Sequence, residues 1–231
     1  MRVLSMTHGP TVPGGVFDEA AEAAGHVLER WQVPDGDPPA SADTYDAVMV
    51  FGGSMHPDQD DQFHWLAHEE RFLRDVIAAK VPVFGVCLGA QMLARAAGAS
   101  VGPAPELEVG WLDVTLTEAG EADPVLGALP RTANVFQWHH YTFGLPPGAT
   151  ALATSPICLQ AFRLDGQPAW GIQFHAEVTN EMATAWVDED PADAPIPRDV
   201  FLAESERRMP QSNAQGRALA EAFLREADPM T

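Results

Sequence analysis

Residues 83–99, VFGVCLGAQMLARAAGA, run from a short apolar stretch through Gly85-Val86-Cys87-Leu88-Gly89 into a helical pattern. Few backbones accept that order. A nucleophile on a sharp strand-to-helix turn needs small residues two before and two after it, because backbone and neighbours crowd together there. The segment therefore predicts a buried strand, an elbow at Cys87 and a helix just past it. Such a helix aims unpaired N–H groups and its positive dipole end at the sulfur, which favours thiolate. The N–H of Leu88 is then placed to donate to an oxyanion. An inert cysteine in a tight turn is the plainer alternative, and it leaves the two glycines between strand and helix without a reason.

The rest of the chain surrounds this elbow with alternating strands and helices. RVLSM (2–6) reads as a buried strand, PGG (13–15) as punctuation before a helix near 17–25, and GHVLERWQV (25–33) as a second strand. A Pro- and Asp-rich loop (34–46) leads to DAVMVF (46–51), which ends in Gly52 and Gly53, a pair that permits close backbone approach. Leu66, Phe72, Leu73, Val76 and Ile77 fall near helical spacing over 65–79, and VPVFGV (81–86) enters the elbow as a strand. This half predicts an α/β fold with a mostly parallel sheet covered by helices on both faces.

Beyond residue 100 the pattern becomes short strands with turns, at 109–117, 134–143, 149–155, 158–164 and 168–175, predicting a mixed or antiparallel extension. TNEMATAWV (179–187) reads as a helix, DEDPADAPIP (188–197) as an acidic connector, and 212–226 as a closing helix capped by Ser212 or Asn213. At 231 residues the chain suits one domain over 1–231, with a core over about 1–187 and 188–231 as connector and helical tail.

Charge narrows the partners. Thirteen Lys and Arg against 33 Asp and Glu give a formal charge of −20, which repels nucleic acid and anionic membranes. No apolar run approaches the roughly 18–20 residues of a membrane span, and MRVLSMTHGP lacks the pattern of a signal peptide, so a cytoplasmic location is expected. Two cysteines are too few for a disulfide framework, and Cys158, inside an apolar strand, reads as a small core side chain. His64 and His68 have zinc-compatible helical spacing but no third ligand is evident, so the reading is a polar helix face and no metal. Neither a G-x-x-x-x-G-K-[ST] loop nor a G-x-G-x-x-G fingerprint occurs, and no ATP or dinucleotide cofactor is expected.

A thiolate nucleophile needs a base, and GIQFHAEVT (171–179) offers one. In an extended segment positions i and i+2 share a face, so Glu177 can steady the imidazole of His175. Cys87, His175 and Glu177 make a candidate triad. GVCLGAQ and GIQFHAEVT, with FGGSM (51–55) and EVGWLDV (108–114), resemble the class I glutamine amidotransferases, particularly the stand-alone domain similar to the amidotransferase half of GMP synthase. Those proteins carry G-x-C-x-G-x-Q and a late H-P-E; here Ala176 stands where proline is usual. QWHHYTF (137–143) departs further: His139 takes the family histidine's place, while His140 and Tyr141 replace Gly-Asp.

The resemblance implies a flavodoxin-like amidotransferase fold. It also implies that Cys87 attacks the side-chain amide of glutamine, with the oxyanion held by the backbone N–H groups of Gly53 and Leu88. His175 gives its proton to departing ammonia, leaving a γ-glutamyl thioester for water to cleave. Gly52, Gln91 and His139 are the implied substrate-binding positions. Ammonia would pass to a separate synthetase partner. A self-sufficient hydrolase of γ-glutamyl amides or peptides uses the same residues, and a non-catalytic binding module or thiol sensor is the third class.

Overall fold

In chain order the elements are β1 (Arg2–Thr7), α1 (Gly15–Ala23), β2 (Val27–Gln32), β3 (Ala47–Val50), α2 (Trp65–Ala79), β4 (Val83–Val86), α3 (Leu88–Ala96), β5 (Val101–Leu116), α4 (Glu118–Glu121), β6 (Thr132–Phe143), β7 (Ala149–Thr154), β8 (Leu159–Leu164), β9 (Ala169–Ile172), α5 (Asn180–Glu189) and α6 (Arg198–Ala227). The structure, a computed structural model, describes residues 1–36, 38–39 and 41–228; the expected loop at 34–46 falls in part, at 37 and 40, outside the described residues.

One nine-stranded mixed sheet runs in the order β2-β1-β3-β4-β9-β8-β7-β5-β6. Strands β2, β1, β3, β4 and β9 are parallel, and β8, β7, β5 and β6 continue antiparallel. Strands β3 and β4 are buried along their whole length, which is why they read as unbroken apolar runs. Alternate residues feed opposite cores: Val3, Ala47 and Met49 face Phe17, Phe84 and Phe223, whereas Leu4, Val48 and Val50 face Leu66, Leu73 and Met92. Helices α1 and α6 thus cover one face, and α2 and α3 the other. No helix among the described residues is long and apolar enough to cross a membrane.

Three boundaries differ from the sequence reading. Strand β5 starts at Val101 rather than 109, because a register shift between Pro103 and Glu108 lets an irregular stretch still pair with β6. Strand β9 stops at Ile172, and His175 rejoins the sheet only through an isolated bridge to Phe136. The last helix begins at Arg198, not 212, so Ser212 and Asn213 lie inside it and Pro197 takes the capping position. Phe201, Ser205, Met209, Ser212, Gly216, Leu219 and Phe223 recur every three or four residues and are all buried. That burial carries the helix through Pro210, although an interior proline costs roughly 3 kcal/mol.

Candidate active site

The elbow is built as tightly as its glycines require. Cys87 sits at φ 52°, ψ −110°, a positive-φ backbone that a side-chain-bearing residue adopts only at a cost of about 1–3 kcal/mol. Its amide N–H donates to the Ile172 carbonyl at 2.8 Å, which extends the β4–β9 pairing to the nucleophile itself. A Cβ on Gly85 would lie 2.7 Å from the Gly89 carbonyl oxygen, and one on Gly89 would lie 2.2 Å from the Val50 carbonyl oxygen. Both glycines are needed so that α3 can descend onto the sheet directly after Cys87. The Leu88 N–H opens that helix, among the amides with no intrahelical acceptor. The Gln173 side-chain amide donates toward the Cys87 sulfur at 3.7 Å.

His175 reaches this sulfur from the loop beyond β9. Its backbone N–H donates to the Phe136 carbonyl at 2.8 Å, and its Nδ1 donates to Glu177 Oε1 at 2.7 Å. Burial pushes its pKa down, but the Glu177 carboxylate and the neighbouring Cys87 sulfur outweigh it and raise the value to about 10. The imidazole therefore holds a proton beside the sulfur. Trp186 packs edge-on to the ring, centroids 4.7 Å apart, and is itself fixed by its indole N–H on the Thr11 carbonyl at 2.7 Å. The loop backbone is gripped from two sides. Val16 N–H donates to the Glu177 carbonyl at 3.0 Å, and Gly216 of α6 passes so close that a Cβ there would meet the Ala176 carbonyl oxygen at 1.9 Å.

Gly52 and Gly53 line the opposite wall. A Cβ on Gly52 would lie 3.1 Å from His175 Cε1, and one on Gly53 would crowd the His8 Cβ and the Leu88 side chain, each at 2.8 Å. Beneath them is a pair that sequence reasoning missed. His8 directs Nδ1 at the Gly52 carbonyl, 3.0 Å, and Nε2 at Glu69 Oε2, 3.1 Å. With a carbonyl facing one ring nitrogen and a carboxyl group facing the other, the surroundings of the buried His8 favour a positive charge on the ring. Burial opposes that charge; the Glu69 carboxylate and the backbone carbonyls overcome it and raise the His8 pKa. The pair anchors the carbonyl directly before the Gly53 N–H.

The remaining wall comes from β6. Gln91 donates from its amide nitrogen to the Tyr141 carbonyl at 2.8 Å and to Gln173 Oε1 at 3.2 Å. His139 is buried beneath the same strand, with Nδ1 donating to the Tyr141 carbonyl at 3.0 Å and Nε2 3.2 Å from Glu108 Oε2. Where the family pattern has Gly-Asp, Tyr141 stacks on His56 with centroids 4.0 Å apart, and His140 lies 2.6 Å from Asp193. Cys158 is not the apolar core residue expected. It precedes β8, donates its thiol to Glu108 at 3.2 Å, and is pushed up to about 11, first by burial and then by that carboxylate. Glu108, His139 and Cys158 are the described residues whose donor atoms, within 4.8 Å of one another, fit a metal's needs; His64 and His68 join no such group. In the structure all of this converges on Glu108: Cys158 donates to it, Gln160 donates to it at 2.8 Å, and His139 Nε2 lies 3.2 Å away.

Two cavities, of about 310 and 300 Å³, meet at Cys87. His175 lines the first, and Leu88, Gln91 and His139 line the second.

The chain has known relatives. The family model for glutamine amidotransferase class-I matches residues 20–189. The chain belongs to the class I glutamine amidotransferases. Its amidotransferase relatives include the glutamine amidotransferase-like protein YfeJ of Salmonella typhimurium, 32% identical over 78% of this chain and 77% of that protein. They also include a glutamine-hydrolyzing GMP synthase subunit of Natronomonas pharaonis, 31% identical over 68% of this chain and 79% of that protein. The amidotransferase fold is matched by the crystal structure of a glutamine amidotransferase from Thermotoga maritima, with TM-score 0.85 and 27% identity over 96% of this chain and 97% of that one.

Within the candidate site, motif spacing points to Cys87, His175, Glu177 and Leu88, and the family resemblance to Gly53 and Gln91; Cys87 shares its two cavities with His175, Gly53, Leu88 and Gln91, and Glu177 reaches it through His175. His8, Glu69, Trp138 and Trp186 were missed. Glu69 left a signal, since it lies three residues from Leu66 and from Phe72 and so falls on the buried stripe of α2. His8 left none, because its partners come from 44 and 61 residues away.

Proposed function

We propose that this amidotransferase hydrolyses γ-glutamyl amides through a thioester on Cys87, with L-glutamine as the simplest substrate. The observation that carries the reading is a cysteine at a strained elbow, sharing one cavity with a buried histidine whose Nδ1 is held by a carboxylate. The sulfur attacks the side-chain carbonyl carbon, and the Gly53 and Leu88 N–H groups stabilise the oxyanion, an effect worth about 10²–10³-fold per donor in comparable sites. As the C–N bond breaks, the nitrogen takes the proton that His175 holds, and Glu177 supports the charge on the ring. Water, giving its proton back to His175, then cleaves the thioester to free glutamate.

Gln91 has both amide protons engaged on Tyr141 and Gln173, so it offers only its carbonyl oxygen, an acceptor suited to the α-ammonium of a glutamyl group. His139 fixes the Tyr141 carbonyl and through it Gln91. Ammonia formed from glutamine would go to an acceptor enzyme on another chain, the arrangement suggested by similarity to GMP synthase subunits. A second reading, a self-sufficient hydrolase of larger γ-glutamyl amides, is favoured by the volume of the cavity beside His175. Glutamate release from L-glutamine by the wild type, set against Cys87→Ala, tests the mechanism: loss in the variant supports it, and equal rates refute it.

A further inference from the structure

We infer that the cavity beside His175 receives the leaving amine, and that its walls select an alkylamine with a second, distal positive charge. The substrate class is then γ-glutamyl amides of cationic alkylamines, an inference that rests on the thioester reading above. Chemistry orients the substrate between the two cavities. The carbonyl carbon is bonded to the Cys87 sulfur, and the nitrogen that leaves must take its proton from His175. His175 lines only the first cavity, and Leu88 and Gln91 line only the second. The amine therefore departs on the first side and the glutamyl chain lies on the second.

Ammonia does not need the space provided. It is about the size of water, whereas the cavity beside His175, about 310 Å³ and open to solvent, has room for a larger amine. Trp138, Trp186 and Val12 supply apolar wall, and Glu189 and Asp190 line the same cavity; Trp138 and Asp190 stand where it meets the second one, whereas Val12, Trp186 and Glu189 belong to the first alone. Glu189 is held there by the Thr11 hydroxyl, which donates to it at 3.2 Å, and Thr11 also fixes Trp186. No lysine or arginine lines this cavity among the described residues; its two imidazoles, His8 and His175, are each paired with a carboxylate of their own, Glu69 and Glu177. An alkyl chain against indole, ending in an ammonium that can reach a carboxylate, matches that lining; a carboxylate at the same place would meet like charge.

The test compares γ-glutamyl amides of equal reach: those of diaminobutane, n-butylamine and aminobutanoate, which end in a positive, a neutral and a negative group. L-Glutamine and Cys87→Ala are run alongside. The expected order of kcat/KM is positive, then neutral, then negative, with about tenfold between the first two, the size of a partly exposed carboxylate contact combined with a cation–π contact. Glu189→Gln should narrow the positive-to-neutral ratio by about threefold. A second measurement needs no turnover: free diaminobutane should slow alkylation of Cys87 by iodoacetamide more than n-butylamine does. Cys87-dependent hydrolysis of glutamine with a flat or reversed order among the amides would overturn this inference and leave the thioester reading standing. Absence of any Cys87-dependent hydrolysis would overturn the thioester reading, and equal protection by the two amines would overturn the cavity assignment in either case.

Discussion

Replacing Gly89 with alanine probes the contact on which the elbow depends. The added Cβ would lie 2.2 Å from the Val50 carbonyl oxygen and 2.6 Å from its carbon, all backbone atoms of a buried strand. Carbon-to-oxygen contacts settle at about 3.3 Å or more, so α3 must rise from the sheet by about 1 Å. Overpacking of this kind costs about 1–3 kcal/mol, and removing a helical glycine returns at most about 1 kcal/mol. The net loss of about 1–2 kcal/mol lowers Tm by roughly 2–8 °C in a chain of this size. The kinetic loss is larger. Cys87 and the Leu88 N–H ride on the first turn of α3, and a 1 Å misplacement of catalytic groups costs about 10²-fold. Thermal unfolding followed by circular dichroism, together with glutamate release, measures both. Gly102→Ala is the control, because a Cβ there meets nothing within 4 Å. Wild-type Tm and kcat/KM in Gly89→Ala would refute the claim that close helix-to-strand approach positions the nucleophile.

Glu177→Gln removes the carboxylate that raises His175; kcat/KM should fall about 10²-fold, and the alkaline limb of its pH profile should move from near 10 toward 6.5. In the wild type, the proton on His175 is bound more tightly folded than unfolded. Its contribution to stability is complete below about pH 6.5 and lost as pH rises through about 10, so Tm measured across that interval should decline. Glu69→Ala leaves Nε2 of the buried His8 without its partner; stability should fall by about 1–3 kcal/mol, and kcat should suffer more than KM because the Gly52–Gly53 wall loses its anchor. Gly216→Ala, far along the closing helix, should lower both Tm and kcat, since its Cβ would strike the Ala176 carbonyl in the loop holding His175 and Glu177.

The sequence made the elbow legible because its constraint is local: Gly85, Cys87 and Gly89 are close neighbours, and sterics alone assign them. The parallel half was readable for a related reason, since β3 and β4 are buried on both faces and appear as unbroken apolar runs. The His175–Glu177 contact arises by a route other than strand alternation. The strand ends at Ile172, and the pair meets across a bend clamped by α1, β6 and α6. What stayed hidden depends on distant partners. His8 with Glu69, and Cys158 with Glu108, become polar pairs only once the sheet has brought their elements together. The early start of α6 was concealed by Pro197 and Pro210, which look like breaks until the buried stripe from Phe201 to Phe223 is counted.

The central claim is a glutamyl group carried on Cys87. Acid-quenching the wild type during turnover of L-glutamine, then measuring intact mass and mapping the adduct by peptide digestion, tests it most directly. One γ-glutamyl group attached at Cys87, absent from Cys87→Ala and removed by hydroxylamine, is the predicted result. Glutamate formed at full rate with no adduct on Cys87, or with the adduct on another residue, would contradict the account.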